Sequence, residues 1–211
     1  MKQNCLKNGS RLVRVFVGGL TLLAISGCSS SVQNIDTAND RAGAVMGLDY
    51  RDFQNAAGQA VTSLLQSGAV SKRDGGRYVL AISRIVNDTM QRIDTDQLIK
   101  KIRVDLLQSG KVVVTTVVGI DGAEDRLAMQ TRELRQSGEF NQNTVAKTGQ
   151  MVAPELSLSG KIVQRNIRMD SSTQQVEYYF MLTLTDINTG LAVWEGETMI
   201  GKRGSNRSVS W

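Results

Sequence analysis

From Val176 to Thr185 the chain alternates strictly. Val176, Tyr178, Phe180, Leu182 and Leu184 fall on one side, and Glu177, Tyr179, Met181, Thr183 and Thr185 on the other. A period of two predicts a strand whose faces meet different surroundings. Asp186-Ile187-Asn188-Thr189-Gly190 has the residue types of a tight hairpin turn. Alternation resumes at Leu191 and runs to about Ile200, with the residues from Gly201 onward predicted to fray. Upstream, Leu156, Leu158, Gly160 and Ile162 alternate with Ser157, Ser159 and Lys161, after which the apolar phase moves to Val163, Ile167 and Met169. That shift predicts a β-bulge near Ile162 to Gln164. The C-terminal third is thus expected to be a three-stranded antiparallel meander.

The earlier part of the chain follows the helical period. Phe53, Ala57, Ala60, Val61, Leu64 and Leu65 form one stripe, opened by a capping Asp49 and closed by Gly68. Arg77 to Val86 reads as a strand covered on both faces. Asp94 or Thr95 should cap a helix that buries Leu98, Ile99, Ile102 and Leu106 and stops at Gly110. Lys111 to Val118, rich in β-branched residues, follows as a strand. Strand, helix and strand at this spacing predict a parallel βαβ-like unit. A mostly polar helix is expected over Ala123 to Gln136, with one or two helical turns from Thr144 to Gln150. Together the pattern predicts an α+β fold: a mixed sheet of about five strands covered by three to four helices.

The first residues are of another kind. Lys2, Lys7, Arg11 and Arg14 precede an eleven-residue apolar run, Val15 to Ile25, and Ser26-Gly27-Cys28 follows. The run is too short to span a bilayer as a helix and suits a signal peptide. Ile25-Ser26-Gly27-Cys28 reads as a lipobox, so residues 1–27 are expected to be removed and Cys28 acylated. Ser29 after Cys28, rather than an aspartate, resembles the outer-membrane sorting class and predicts a lipid-anchored, periplasm-facing protein. Residues 28–47 form a small, polar linker, 48–202 the globular domain and 203–211 a basic tail. The leader also changes the charge balance. Of 25 basic and 20 acidic side chains, four basic ones precede Cys28, leaving 21 against 20. Net charge therefore gives no argument for a nucleic-acid partner.

Composition removes whole classes of chemistry. The chain has no histidine, and its two cysteines are Cys5 in the leader and Cys28. Serine–histidine or cysteine–histidine catalysis and imidazole metal ligation are excluded. No glycine-lysine pair has the surroundings of a phosphate-binding loop. No cofactor, metal or small-molecule substrate is expected, and the chain reads as a non-enzyme.

Several stretches resemble a known family. The lipobox, Arg77-Tyr78-Val79-Leu80-Ala81-Ile82-Ser83-Arg84-Ile85-Val86-Asn87-Asp88-Thr89, the helix opening Ile93-Asp94-Thr95-Asp96-Gln97-Leu98-Ile99-Lys100-Lys101-Ile102-Arg103 and, above all, Tyr178 to Trp194 are similar to the LpoB family of outer-membrane lipoproteins. The family's domain is similar in fold to the N-terminal domain of TolB and part of CsgG. The resemblance implies a non-enzymatic protein that docks on the regulatory domain of a bifunctional class A penicillin-binding protein and stimulates peptidoglycan synthesis. A CsgG-like secretion or structural lipoprotein, or an adaptor of another partner, are the alternatives. The family's well-known members carry a long proline-rich linker, whereas the linker here is short and proline-free. The residues themselves suggest a docking face. Lys161 and Arg165 should share one side of their strand, with Arg168 just beyond and Tyr179 nearby, a basic surface with an aromatic anchor for an acidic partner.

Overall fold

The computed structural model describes residues 45–118 and 125–208, all within the compact unit Gly43–Trp211. Cys28, the lipobox and most of the predicted linker lie outside the described residues, as does Ala123. A five-stranded mixed sheet has the order β2-β1-β3-β4-β5. Strand β1 (Tyr78–Asp88) lies parallel to both β2 (Val112–Val114) and β3 (Leu156–Arg168). Strands β3, β4 (Thr173–Asp186) and β5 (Ala192–Ser205) form the expected antiparallel meander. Three helices accompany the sheet: α1 (Tyr50–Ser67), α2 (Thr95–Gln108) and α3 (Arg126–Glu133), the last continued by a short 3-10 turn.

The helix ends follow from local chemistry. The Asp49 carboxylate accepts from the backbone N–H groups of Arg51 and Asp52, at 2.9 and 3.3 Å. Asp52 Oδ2 accepts the Asp49 N–H in return, at 2.8 Å. This is a capping box with aspartate in place of glutamate. Gly68 closes α1 at φ +77°, a left-handed conformation that costs glycine little. Asp94 caps α2, and Gly110 follows its end at φ +68°.

Core packing is one-sided. Ala57, Ala60, Val61 and Leu64 of α1 and Leu98, Ile102 and Leu106 of α2 are buried with Leu80, Ile82 and Ile85 of β1, Leu156, Leu158 and Ile162 of β3, Tyr178, Phe180, Leu182 and Leu184 of β4 and Trp194 of β5. Phe53 meets Phe180 edge-on at 6.1 Å. Gly196 has no side chain because the Trp194 ring occupies that space, where an added Cβ would lie 2.4 Å from it.

Several expectations are corrected. The irregularity sits in β1, where Ile82 pairs with Leu158 but Ile85 with Gly160, while β3 and β4 pair without a break from Leu156 to Arg168. The apolar phase shift in β3 marks side chains turning to the other face, and no residue is inserted there. Strand β1 is covered on both faces only over Leu80–Ile82; Arg84 and Val86 are exposed. Strand β2 has three residues rather than eight. The 144–150 segment forms turns and no helix, and α3 buries no residue. Met46 and Leu48 already pack against the core, so the fold begins inside the predicted linker. The predicted fraying from Gly201 is wrong: Gly201 to Ser205 pair with Glu177 to Thr173.

Lys202 explains that last correction. Its Nζ lies 2.5 Å from Asp52 Oδ2 and donates to the Gly47 carbonyl at 2.8 Å, with only 8% of its side chain exposed. The strand end therefore carries a buried cation held by the capping box of α1. Removing one partner of a buried pair leaves the other uncompensated. Asp52→Ala is expected to lower the unfolding free energy by about 3 kcal/mol. Lys202→Met in the same chain should recover part of that loss, as measured by chemical denaturation. Additive losses would mean that the two side chains act independently.

Candidate functional site

The sheet face opposite α1 and α2 is the candidate site. Cross-strand pairing sets its side chains in rows. Val86, Lys161, Met181 and Glu197 make one row, and Asp88, Val163, Tyr179 and Met199 the next. Arg165, Glu177 and Gly201 make a third, followed by Ile167, Gln175 and Arg203. Partners across a ladder stand on one face with Cβ atoms about 5 Å apart, so each row is a set of neighbours. Tyr179 therefore stands beside Val163, flanked along β3 by Lys161 and Arg165. The structure brings these three predicted residues together. Arg168 is not part of the group. It pairs with Gln174, three residues along β4 from Glu177, and alternation turns it to the opposite side, where its Nε donates to the Asp170 carbonyl at 3.3 Å.

Most charges here are matched. Lys161 Nζ lies 2.6 Å from Asp88 Oδ2, both side chains well exposed. Glu177 accepts from the Tyr179 hydroxyl at 2.6 Å and from Gln175 Nε2 at 2.8 Å. Those two hydrogen bonds and the Arg165 charge hold the Glu177 carboxyl below its ordinary range, against its desolvation. The same Glu177 bond, with desolvation, raises the Tyr179 hydroxyl. Gln175 Oε1 in turn accepts from Arg203 Nη2 at 2.6 Å. The Tyr179 hydroxyl is thus committed within the protein, and its ring is the part offered outward. Sequence reasoning missed Glu177, Asp88 and the apolar Met181 and Met199. The spacing Glu177-x-Tyr179 on an alternating strand was the available signal for the first.

A second concavity of about 510 Å³ runs between α1 and α2, lined by Tyr50, Phe53, Val104, Lys100, Asp94 and Asp96 among others. Among the described residues no group of three or more acidic or thiol side chains is placed to hold a metal ion. None of the described helices is long and apolar enough to cross a membrane.

A five-stranded mixed sheet with α1 and α2 packed on one side and a laddered, amphipathic surface on the other is an α+β fold. The chain belongs to the family described as peptidoglycan-synthase activator LpoB, whose model matches residues 52–200. Among solved structures it is similar to the LpoB C-terminal domain of Escherichia coli, at 15% identity over 71% of this chain and 98% of that one, TM-score 0.43. The corresponding domain of Salmonella enterica is 16% identical over 71% and 98%, TM-score 0.40. Lipoprotein GNA1162 of Neisseria meningitidis is 12% identical over 63% and 87%, TM-score 0.33. No curated protein sequence matches the chain.

The lowered Glu177 carboxyl links this face to stability. Its folded value lies below the ordinary 4.5, so its contribution is present above that pH and is lost as pH falls through the folded value. Wild type should therefore lose stability in acid, and the gap between wild type and Glu177→Gln should narrow below pH 4.5. A gap that is constant with pH, in denaturation curves recorded across this range, would refute the assignment.

Proposed function

We propose that this chain is an outer-membrane lipoprotein, acylated at Cys28 and facing the periplasm, that binds the regulatory domain of a bifunctional class A penicillin-binding protein and stimulates its peptidoglycan synthesis. One observation carries the reading: the activator family's model spans 52–200, from the first turn of α1 nearly to the end of β5. The whole folded unit, rather than a shared fragment, belongs to that family. The chemistry agrees with a role exercised by contact. There is no histidine in the chain, and the candidate site offers paired charges and an aromatic ring instead of a nucleophile and base. The synthase would dock on the open sheet face through Lys161, Arg165 and the Tyr179 ring, against an acidic surface.

Adding the purified chain to a class A synthase and lipid-linked glycan precursor should raise the polymerisation rate, and the chain alone should consume no precursor. Lys161→Glu with Arg165→Glu should reduce capture of the synthase by about tenfold or more, since like charges across an interface cost several kcal/mol. Undiminished capture would remove the proposed face, and an unchanged polymerisation rate with wild type would remove the function. Cys28→Ala should move the protein from the membrane fraction to the soluble periplasm.

A further inference from the structure

The open face has a charge pattern that fits itself. Strand β4, the central strand of the antiparallel meander β3-β4-β5, carries Met181 and Tyr179 in successive rows. One strand to one side, β3 presents Lys161 and Arg165; one strand to the other, β5 presents Glu195 and Glu197. Both glutamates are exposed. Exposed apolar side chains fill the same rows: Met199 is 55% and Val86 45% accessible. We propose that this face is an interface between two copies of the chain, related by a two-fold axis that runs along β4 in the plane of contact.

The choice of axis follows from the rows. A two-fold along β4 lays β3 of one copy over β5 of the other, at the same row. Lys161 then faces Glu197 of the second copy, and Glu197 faces its Lys161, as self-complementary packing requires. Val163 meets Met199 of the second copy, while Met181 and Tyr179 pack against their own equivalents on the axis. A two-fold across the strands would instead lay β3 on β3, whose open-face residues include no acid to meet Lys161 or Arg165. Sheets that stack face to face sit about 10 Å apart with strands within about 30° of parallel. Lysine and glutamate one strand from the axis span that gap together. Lys161 already touches Asp88, but with 46% and 58% of the two side chains exposed it can share its charge with a second acid. Arg165 meets Gly201, a position with open space around it. Glu177, which would otherwise approach its own equivalent, is held by Tyr179 and Gln175 and is 9% exposed.

The proposal stands apart from the synthase reading. Where the synthase uses the same face, the two contacts exclude each other, and self-association would mask the docking surface.

The test is sedimentation velocity of the full chain in detergent over a concentration series. Wild type should form a dimer that weakens as salt is raised. Lys161→Glu and Glu197→Lys, both at exposed positions, should each raise the dimer dissociation constant by about tenfold or more. Circular dichroism checks that each variant is folded. An equimolar mixture of the two variants should recover the dimer, because every Lys161–Glu197 contact in the mixed pair is again between opposite charges. A wild type that stays monomeric at every concentration overturns the proposal and leaves the synthase reading untouched. Variants that dimerise like wild type overturn it, and so does a mixture that remains monomeric.

Discussion

The Lys202–Asp52 pair is the joint on which the arrangement of layers depends. Helix α1 is amphipathic, but an apolar stripe slides and rotates on an apolar sheet with little penalty, because the hydrophobic effect is non-directional. A buried ion pair does not allow that freedom. Asp52 is already committed to the capping box, so its position is set by the first turn of α1. Lys202 sits near the end of an edge strand, and its charge also helps to lower the Asp49 carboxyl beside Asp52. Their 2.5 Å contact fixes the N-terminus of α1 over the far end of β5, and the Gly47 carbonyl adds a second fixed point. The Tyr178 hydroxyl, donating to the Met46 carbonyl at 3.3 Å, ties the entering chain to β4 as well. Met46 and Gly47 are therefore held against β4 and β5 through their carbonyls.

With α1 held over β4 and β5, and α2 over β1 and β2, the helices serve one face only. The meander strands are too long for that cover. Strands β4 and β5 have 14 residues each, and β3 has 13. At about 3.3 Å per residue such strands span some 45 Å, whereas the 18 residues of α1 rise about 27 Å. The sheet therefore extends beyond its helices, with its outer face bare. That bare face is where the apolar phase of β3 changes sides and where Tyr179, Met181 and Met199 stand.

Much of this was legible in the sequence because the signals were local. Both helix caps, both buried stripes and the alternation of β4 are properties of a few consecutive residues, and the structure realises them. Parallel pairing of β1 with β2 followed from the helix between them. Failures came where a distant partner decides. The phase change after Ile162 looked like an inserted residue, since within one strand a bulge and a change of environment produce the same pattern; only the pairing with β4 separates them. Gly201 to Ser205 looked unanchored because the anion that holds Lys202 lies 150 residues earlier in the chain. Strand β2 stopped early since pairing with β1 ends at Leu80, although its β-branched run continues. For the candidate site, parity along one strand was enough to unite Lys161 with Arg165, but the same parity separates Arg168 from them.

The open face also shows how a protein can expose charge without advertising it. Lys161 is matched by Asp88, and Arg165 by Glu177, each from a neighbouring strand at the same or the adjoining row. A bare cation would attract any acidic surface and would be costly to desolvate. A matched pair attracts weakly at long range, and its partner keeps much of the compensation in place when water leaves. Recognition then depends on a partner that meets both the rows of charge and the apolar strip between them. Such a surface favours selectivity over encounter rate.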